Sequence, residues 1–240
     1  LRTNIEYIFY PAEPWGSLDV QWRLDRGDSS IPLDFDALWA RCEPMSLAGR
    51  VVRHPSPEDL LLILCVHGSR HFWQRLKWLC DVAQLVRVHQ GMGWSRVMGC
   101  ATTSAARRQL FPGLLLAKEL LGAPLPEEVW QAVQQDQAAG RLADEMRRRL
   151  FRGSPHSPGV WERTLLQLKM RERLSDRLSY CLRQVMTPAH ADWTWVSLPE
   201  SLFPLYYALR PVRLIGKYTG LAATYTWRLA RRTYDRKDAG

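Results

Sequence analysis

Residues 56–86, SPEDLLLILCVHGSRHFWQRLKWLCDVAQLV, decide the fold of this chain. The segment opens with a strong helix start, because Ser56 is a good N-cap, the proline after it suits the first helical position, and two acids follow in the first turn. From here the sequence predicts one long helix to about His89, where glycines follow.

The predicted helix has an apolar face and a polar stripe. The apolar face has the spacing of a core seam and contains Leu61, Cys65, Phe72, Leu76, Leu79, Ala83 and Val86. The stripe covers roughly 80° of the helix and contains His67, His71, Gln74, Trp78 and Asp81. Because polar groups on a buried helix need partners, we expect the stripe to face the cleft between the strands and the helices.

His67 and His71 stand four residues apart, the spacing by which one helix presents two imidazoles to a metal ion. A third ligand is missing, since Asp81 lies roughly 15 Å further along such a helix. Three roles stay open for the pair: ordinary hydrogen-bonded side chains, contacts with a substrate or between domains, and, least favoured by the spacing, metal binding.

Strand patterns are confined to the part of the chain before this segment. Residues 5–10 are rich in β-formers, residues 17–24 alternate with period two, and residues 45–53 resemble a hairpin centred on Ala48 and Gly49. A short helix is predicted at 37–42, capped by Asp34 and Asp36.

After residue 56 the sequence predicts helices separated by Pro- and Gly-containing breaks. Beyond the long helix they are expected at 94–108, 112–122, 126–151, 159–186, 199–209 and 212–235. The predicted fold is therefore α+β and predominantly α-helical. A few N-terminal strands form domain 1–55, and a multi-helix region forms domain 56–240.

Charge is distributed unevenly along the 240 residues. Residues 1–60 carry ten acids and six Lys or Arg, a balance of −4, and the rest carries fourteen acids and twenty-seven Lys or Arg, a balance of +13. The asymmetry suggests a helical region that meets phosphates, nucleic acid or an anionic membrane surface, and a solvated basic exterior explains it equally well. No helix-turn-helix, zinc-finger or RNA-recognition signature is present, so sequence-specific nucleic-acid binding is not expected.

The five cysteines indicate reduced thiols, because they are odd in number, widely spaced and contain no CxxC pair. No apolar run approaches the ~18 residues of a membrane span, and residues 1–10 do not resemble a secretory signal. We therefore expect a cytoplasmic location, with peripheral membrane binding as an alternative. The peripheral-binding alternative is based on the basic, aromatic helix predicted at 212–235, in which an apolar and aromatic stripe is formed by Leu214, Tyr218, Leu221, Tyr225 and Leu229.

Four stretches of the sequence together carry a resemblance to a known family: SLDVQWRL at 17–24, the 56–86 segment with HGSRHFW, TPAHADW at 187–193 and SLPESLFPLYYALRPVRLIGK at 197–217. On these stretches the chain resembles an uncharacterised family of bacterial nucleotidyltransferases, related to the polymerase-beta-like and kanamycin-nucleotidyltransferase-like enzymes. The resemblance implies metal-dependent transfer of a nucleotidyl group from a nucleoside triphosphate, with Mg²⁺, to an unknown acceptor.

The resemblance also implies site residues. Asp19 sits where the superfamily has a late carboxylate, which would make it a catalytic residue and a metal ligand, although a solvent-facing edge-strand Asp fits the spacing equally well. His67, Arg70, His71 and Asp81 would bind substrate. The Gly-Ser turn and DxD strand of the superfamily have no counterpart at the right spacing, and Gln21 stands where His is usual. We expect the missing elements to lie upstream of Leu1.

Two further functional classes remain open. One is a non-catalytic helical adaptor that retains a degenerate nucleotidyltransferase remnant. The other is a peripheral membrane or anion-binding module built on the helix at 212–235.

We predict that the isolated chain shows no nucleotidyl transfer, because one carboxylate cannot hold two metal ions. Incubation with labelled nucleoside triphosphates and magnesium measures this. Turnover that disappears in Asp19→Asn would contradict the prediction.

Overall fold

The structure, a computed structural model, describes residues 6–10, 16, 18–21, 34–152 and 159–217. The described residues up to Arg177 form one compact unit, and those from Leu178 onward form a second. Helices are the main element of both, which confirms the predicted α+β, predominantly α-helical class. The predicted domain boundary after residue 55 falls within the first unit and stays a prediction.

The strands of the described residues form two separate antiparallel pairs. They are β1 (Glu6–Phe9) with β2 (Leu18–Gln21), and β3 (Glu43–Leu47) with β4 (Arg50–His54). Between β3 and β4, Ala48 and Gly49 both have positive φ, 50° and 76°. This is the backbone that a two-residue hairpin turn with the right twist requires. The predicted strands and hairpin are confirmed.

Both predicted helices begin at a capping side chain, although the first starts at Phe35, two residues earlier than predicted, and Asp36 lies in its first turn and does not cap it. Asp34 caps α1 (Phe35–Ala40) by accepting a hydrogen bond from the Asp36 amide at 3.1 Å. Ser56 caps α2 (Pro57–Arg70), and its hydroxyl accepts from the Asp59 amide at 3.3 Å. Each cap satisfies an amide that the first turn of a helix would otherwise leave without a partner.

Asp59 joins three helices through one buried carboxylate. Its Oδ2 accepts from Arg41 Nε at 2.8 Å, and its Oδ1 accepts from Arg96 Nη2 at 2.6 Å. Arg41 ends α1, and Arg96 lies on α4 (Trp94–Thr103). Burial opposes ionisation of Asp59, but hydrogen bonds from the two arginines outweigh it and lower the pKa of the carboxyl.

The single long helix predicted for 56–89 is wrong, because the chain turns between two shorter helices. α2 ends at Arg70, and α3 (Leu76–Val88) begins after a five-residue turn. Within the turn Phe72 and Trp73 have positive φ, 55° and 50°, a conformation that ends a right-handed helix. The Trp73 amide donates to the carbonyl of Gly68 at 2.8 Å and closes the end of α2.

Trp73 causes the break. Its side chain is fully buried, and its ring lies against Gly68 of α2 and Gly113 of α5 (Arg107–Leu121). A Cβ at either glycine would approach the ring to 2.5 Å and 2.3 Å, respectively, which is too close for any real contact. The indole thus fits because both helices have glycine where it packs.

The later helices follow the predicted order but not all the predicted breaks. They are α6 (Glu127–Gln135), α7 (Gln137–Phe151), α8 (Val160–Lys169), α9 (Leu174–Met186), α10 (His190–Trp195), a 3₁₀ helix (Glu200–Leu205) and a helical stretch at 206–217. Two predicted helices, 126–151 and 159–186, are each divided in two. Asp136 makes the first division, because its side chain accepts from the amides of Ala138 and Ala139 and caps a new helix.

The break predicted between helices at 94–108 and 112–122 lies earlier, between α4 and α5, so that Pro112 falls inside α5. Residues 109–117 are all buried, and α5 packs against α2, α3 and α7 at the centre of the core. Burial along this length outweighs the one helical hydrogen bond that proline cannot donate.

The predicted core seam is confirmed except at Leu76. Leu61, Cys65, Phe72, Leu79, Ala83 and Val86 are buried, but Leu76 is 45% exposed. Leu76 is the first residue of α3, and the turn before it changes the helical phase that the prediction assumed. Truncation of Leu76 to alanine is therefore not expected to leave a cavity in the core.

In the second unit, Asp192 explains two of the motifs noted in the sequence. Its carboxylate is 1% exposed and accepts from the Ala189 amide at the start of α10, from Arg210 Nη1 at 2.8 Å and from Arg213 Nε. TPAHADW supplies the acid, and ALRPVR supplies the two arginines. These motifs are thus accounted for by folding of the second unit.

The helix predicted at 212–235 lies mostly outside the described residues, which end at 217. Within the described residues, no helix is both long enough and apolar enough to cross a membrane. All five cysteines are unpaired thiols. Cys65 is fully buried, and burial raises the pKa of its thiol.

We predict that Gly113→Ala destabilises the protein by about 1–3 kcal/mol, because the new methyl group overlaps the buried Trp73 ring. Gly140→Ala is the matched control, since Gly140 lies within α7 and has open space around it. The control should gain roughly 0.5–1 kcal/mol from helix propensity. Urea denaturation measures both, and an equal response would show that Trp73 does not pack against α5.

Candidate substrate-binding surface

Three aromatic rings meet on the surface beside the turn that separates α2 from α3. The His67 and His71 ring centroids are 4.7 Å apart, and the Trp78 centroid lies 5.4 Å from His67 and 5.1 Å from His71. Both histidines are exposed, and Trp78 is half-buried. The three residues form an aromatic surface that a ligand can reach.

The turn, and not a continuous helix, brings these residues together. His67 lies in the last turn of α2, His71 is the residue that caps it, and Trp78 lies in the first turn of α3. The predicted grouping of the three residues is found, although the reason given for it was wrong.

Arginines surround the aromatic surface. The Arg75 guanidinium lies over the Trp78 ring at 5.8 Å, a cation–π arrangement. Arg70 lies in the last turn of α2, and its carbonyl accepts from Gln167 Nε2 of α8 at 3.4 Å. Arg163, one helical turn before Gln167, is close enough to act electrostatically on His71. The surface is therefore cationic at its edges and aromatic at its centre.

The pKa of His71 is lowered to about 4 from an ordinary value of 6.5. Burial of the ring, against which the His67 and Trp78 rings pack, is the main cause, although the residue as a whole is exposed. The positive charges of His67, Arg70, Arg163 and Arg75 lower it further. At neutral pH His71 is thus an uncharged hydrogen-bonding group within a cationic surface.

The other predicted site residues are less closely grouped. Asp81 is exposed on α3, one turn beyond Trp78. Asp19 lies on β2, paired with Ile8 of β1. The structure describes the strand position of Asp19 but not its side chain. Among the described residues, α8 contacts this surface through Gln167 and Arg163, and the expected cleft facing the strands stays a prediction.

The residues that the structure describes do not by themselves form a magnesium site. Among them, no three His, Cys, Asp or Glu side chains are placed to hold a metal ion. The His67 and His71 pair lacks the oxygen ligands that magnesium prefers. The role of Asp19 as a metal ligand stays a prediction.

Sequence reasoning did not select Arg75 or Arg163 as site residues. Arg75 carries a usable signal, because it lies in the HFWQR stretch three residues before an aromatic side chain. The sequence gives no such signal for Arg163, because it lies 92 positions after His71. Only the packing of α8 beside the end of α2 brings Arg163 near His71.

We predict that the His71 ring titrates with a midpoint of about 4 when followed by NMR. Trp78→Ala uncovers the ring and should move the midpoint up toward 6.5. A midpoint near 6.5 in the unchanged chain would contradict the arrangement of the three rings.

The same shift has a consequence for stability. Between pH 4 and 6.5 the unfolded chain binds more protons at His71 than the folded chain does, so stability contributed by the neutral ring falls as pH falls. We expect His71→Gln to flatten the pH dependence of the free energy of unfolding in this window. His89→Gln serves as the control, because His89 lies at the opposite end of α3.

Comparison with known proteins gives one result that bears on function. No curated protein and no solved structure matches the chain. Residues 6–122, which are 117 of the 240, match the model of a family described as an uncharacterised nucleotidyltransferase. The matched segment contains Asp19, His67, Arg70, His71 and Asp81, and it supports nucleotidyl transfer as the general kind of function.

Proposed function

We propose that this chain serves a metal-dependent transfer of a nucleotidyl group from a nucleoside triphosphate to an acceptor. The observation that carries the proposal is the family match over residues 6–122. The resemblance to polymerase-beta-like enzymes adds a role for Asp19 as catalytic residue and metal ligand. Since the described residues form no complete metal site, the roles argued below concern substrate binding.

The aromatic surface suits a nucleotide base. An exposed aromatic face stacks on any base and contributes roughly 1–3 kcal/mol per base in single-strand binding proteins. The exposed rings of His67 and His71, which pack against half-buried Trp78 at 5.4 and 5.1 Å, offer such a face, and His71 is neutral. A neutral imidazole both donates and accepts hydrogen bonds, as recognition of a base edge requires.

The surrounding arginines suit the phosphates of the same ligand. Arg70, Arg75 and Arg163 form no ion pair with any carboxylate that the structure describes, so their charges are available to an anion. Guanidinium groups bind phosphate oxygens through two parallel hydrogen bonds. Asp81, exposed one turn beyond Trp78, is a hydrogen-bond acceptor for a hydroxyl group of the sugar or of the acceptor.

We predict that the chain binds ATP saturably in the presence of magnesium, as measured by isothermal titration calorimetry. Arg75→Gln should weaken binding about tenfold, because a charge-assisted contact with phosphate is lost. Lys77→Gln is the matched control, because Lys77 is also exposed, lies two residues after Arg75 and carries the same charge. We expect this variant to change the affinity for ATP by less than about twofold.

Two results would contradict the proposed role of this surface. One is the absence of saturable ATP binding. The other is an equal loss in both variants, which would indicate attraction to net charge and not a site.

A further inference from the structure

A second cationic site lies on the other side of α8. Here a solvent-accessible cavity of about 400 Å³ is lined by residues of α5, α7, α8 and the start of α9. The Gln167 side of α8 faces the end of α2, whereas the residues on its other side, Leu165, Leu168 and Lys169, line the cavity. The volume falls within the range of small-molecule sites.

Four basic residues and one acidic residue line the cavity. Arg108, Arg141, Lys169 and Arg177 are part of its wall, as is Glu145. Glu145 is already engaged, accepting from Arg149 at 2.9 Å and from Lys169 at 3.2 Å. Burial opposes its ionisation, but these two hydrogen bonds outweigh burial and lower the pKa of its carboxyl. Its charge is thus balanced by Lys169 and by a residue outside the cavity.

The remaining three guanidinium groups have no carboxylate partner among the described residues. Two of them are held in place by backbone carbonyls: Arg108 Nη1 donates to the Lys169 carbonyl at 3.3 Å, and Arg177 Nε donates to the Arg171 carbonyl at 2.9 Å. A carbonyl fixes the direction of a guanidinium without neutralising it. Three like charges therefore line one concave surface, and a bound anion would relieve their repulsion.

The rest of the wall is aliphatic. Leu142, Leu165 and Leu168 contribute apolar side chains, and none of the described residues that line the cavity carries an aromatic ring. The cavity thus offers hydrophobic contact but no stacking partner for a base. A ligand that satisfies both parts of the wall carries a concentrated negative charge next to an aliphatic body.

We propose that this cavity binds a small phosphomonoester with an aliphatic body. A phosphate is favoured over a carboxylate because it carries more negative charge and because guanidinium groups pair well with phosphate oxygens. The inference does not rest on the proposed nucleotidyl transfer. Among the described residues that line the cavity, only Arg108 lies within residues 6–122, the segment that matches the nucleotidyltransferase family.

The test is calorimetric titration of the full chain with hexyl phosphate, inorganic phosphate and hexanoate. We expect hexyl phosphate to bind one per chain, and the other two to bind at least about tenfold more weakly, because each lacks one part of the ligand. Absence of saturable hexyl phosphate binding, or equal affinity for hexanoate or for inorganic phosphate, would overturn the proposal.

Two variants separate the cavity from general attraction to a basic protein. Arg141→Gln changes an exposed residue that lines the cavity, and it should weaken hexyl phosphate binding about tenfold or more. Arg50→Gln removes the same charge from an exposed position on β4, away from the lining, and should leave affinity within about twofold. Equal losses in the two variants would overturn the proposal, and thermal unfolding of both checks that neither substitution disturbs the fold.

Discussion

The arrangement of the first unit depends on the burial of one indole ring. Trp73 fits between α2 and α5 only because Gly68 and Gly113 leave room for it. Its position forces positive φ at two consecutive non-glycine residues, and its buried Nε1 has no hydrogen-bond partner among the described residues. Left-handed backbone and an unsatisfied buried donor are both unfavourable, and burial of the whole indole in the core opposes these costs.

The turn around Trp73 has a second effect, because it shapes the candidate nucleotide-binding surface. Ending α2 at Arg70 exposes His71 at the helix terminus, and restarting the chain as α3 brings Trp78 back against it. A straight helix would have placed the same side chains in a line along a buried surface. The core and the candidate site are thus coupled through one turn, so substitutions that loosen Trp73 should also disperse the three rings.

Local signals in the sequence were reliable, and signals that depended on distant partners were not. The Ser56 cap, the Asp34 cap and the Ala48-Gly49 turn are each specified by a few adjacent residues, and each was predicted correctly. The helix break at Trp73 depends on Gly113, forty residues away, so periodicity alone extended the helix through it. Pro112 failed as a break for the related reason that burial of α5 overrides a local preference. Assigning Arg163 to the site was beyond sequence reasoning because only helix packing places it there.

The ion pairs show that part of the excess of arginine and lysine has a structural role. Part of the excess is structural, since Asp59 and Asp192 are buried acids that are each held by two arginines. The two aspartates balance the charge of only two of these four arginines. If the remaining basic residues served only to solvate the exterior, we would expect them to be spread over the surface. Instead, arginines without a carboxylate partner among the described residues gather on the two sides of α8, beside an aromatic surface on one side and an aliphatic cavity on the other. Because like charges held together raise the energy of the empty protein, an anion bound at either place would lower that energy, and the aromatic and aliphatic surroundings suit the two different ligands that we propose.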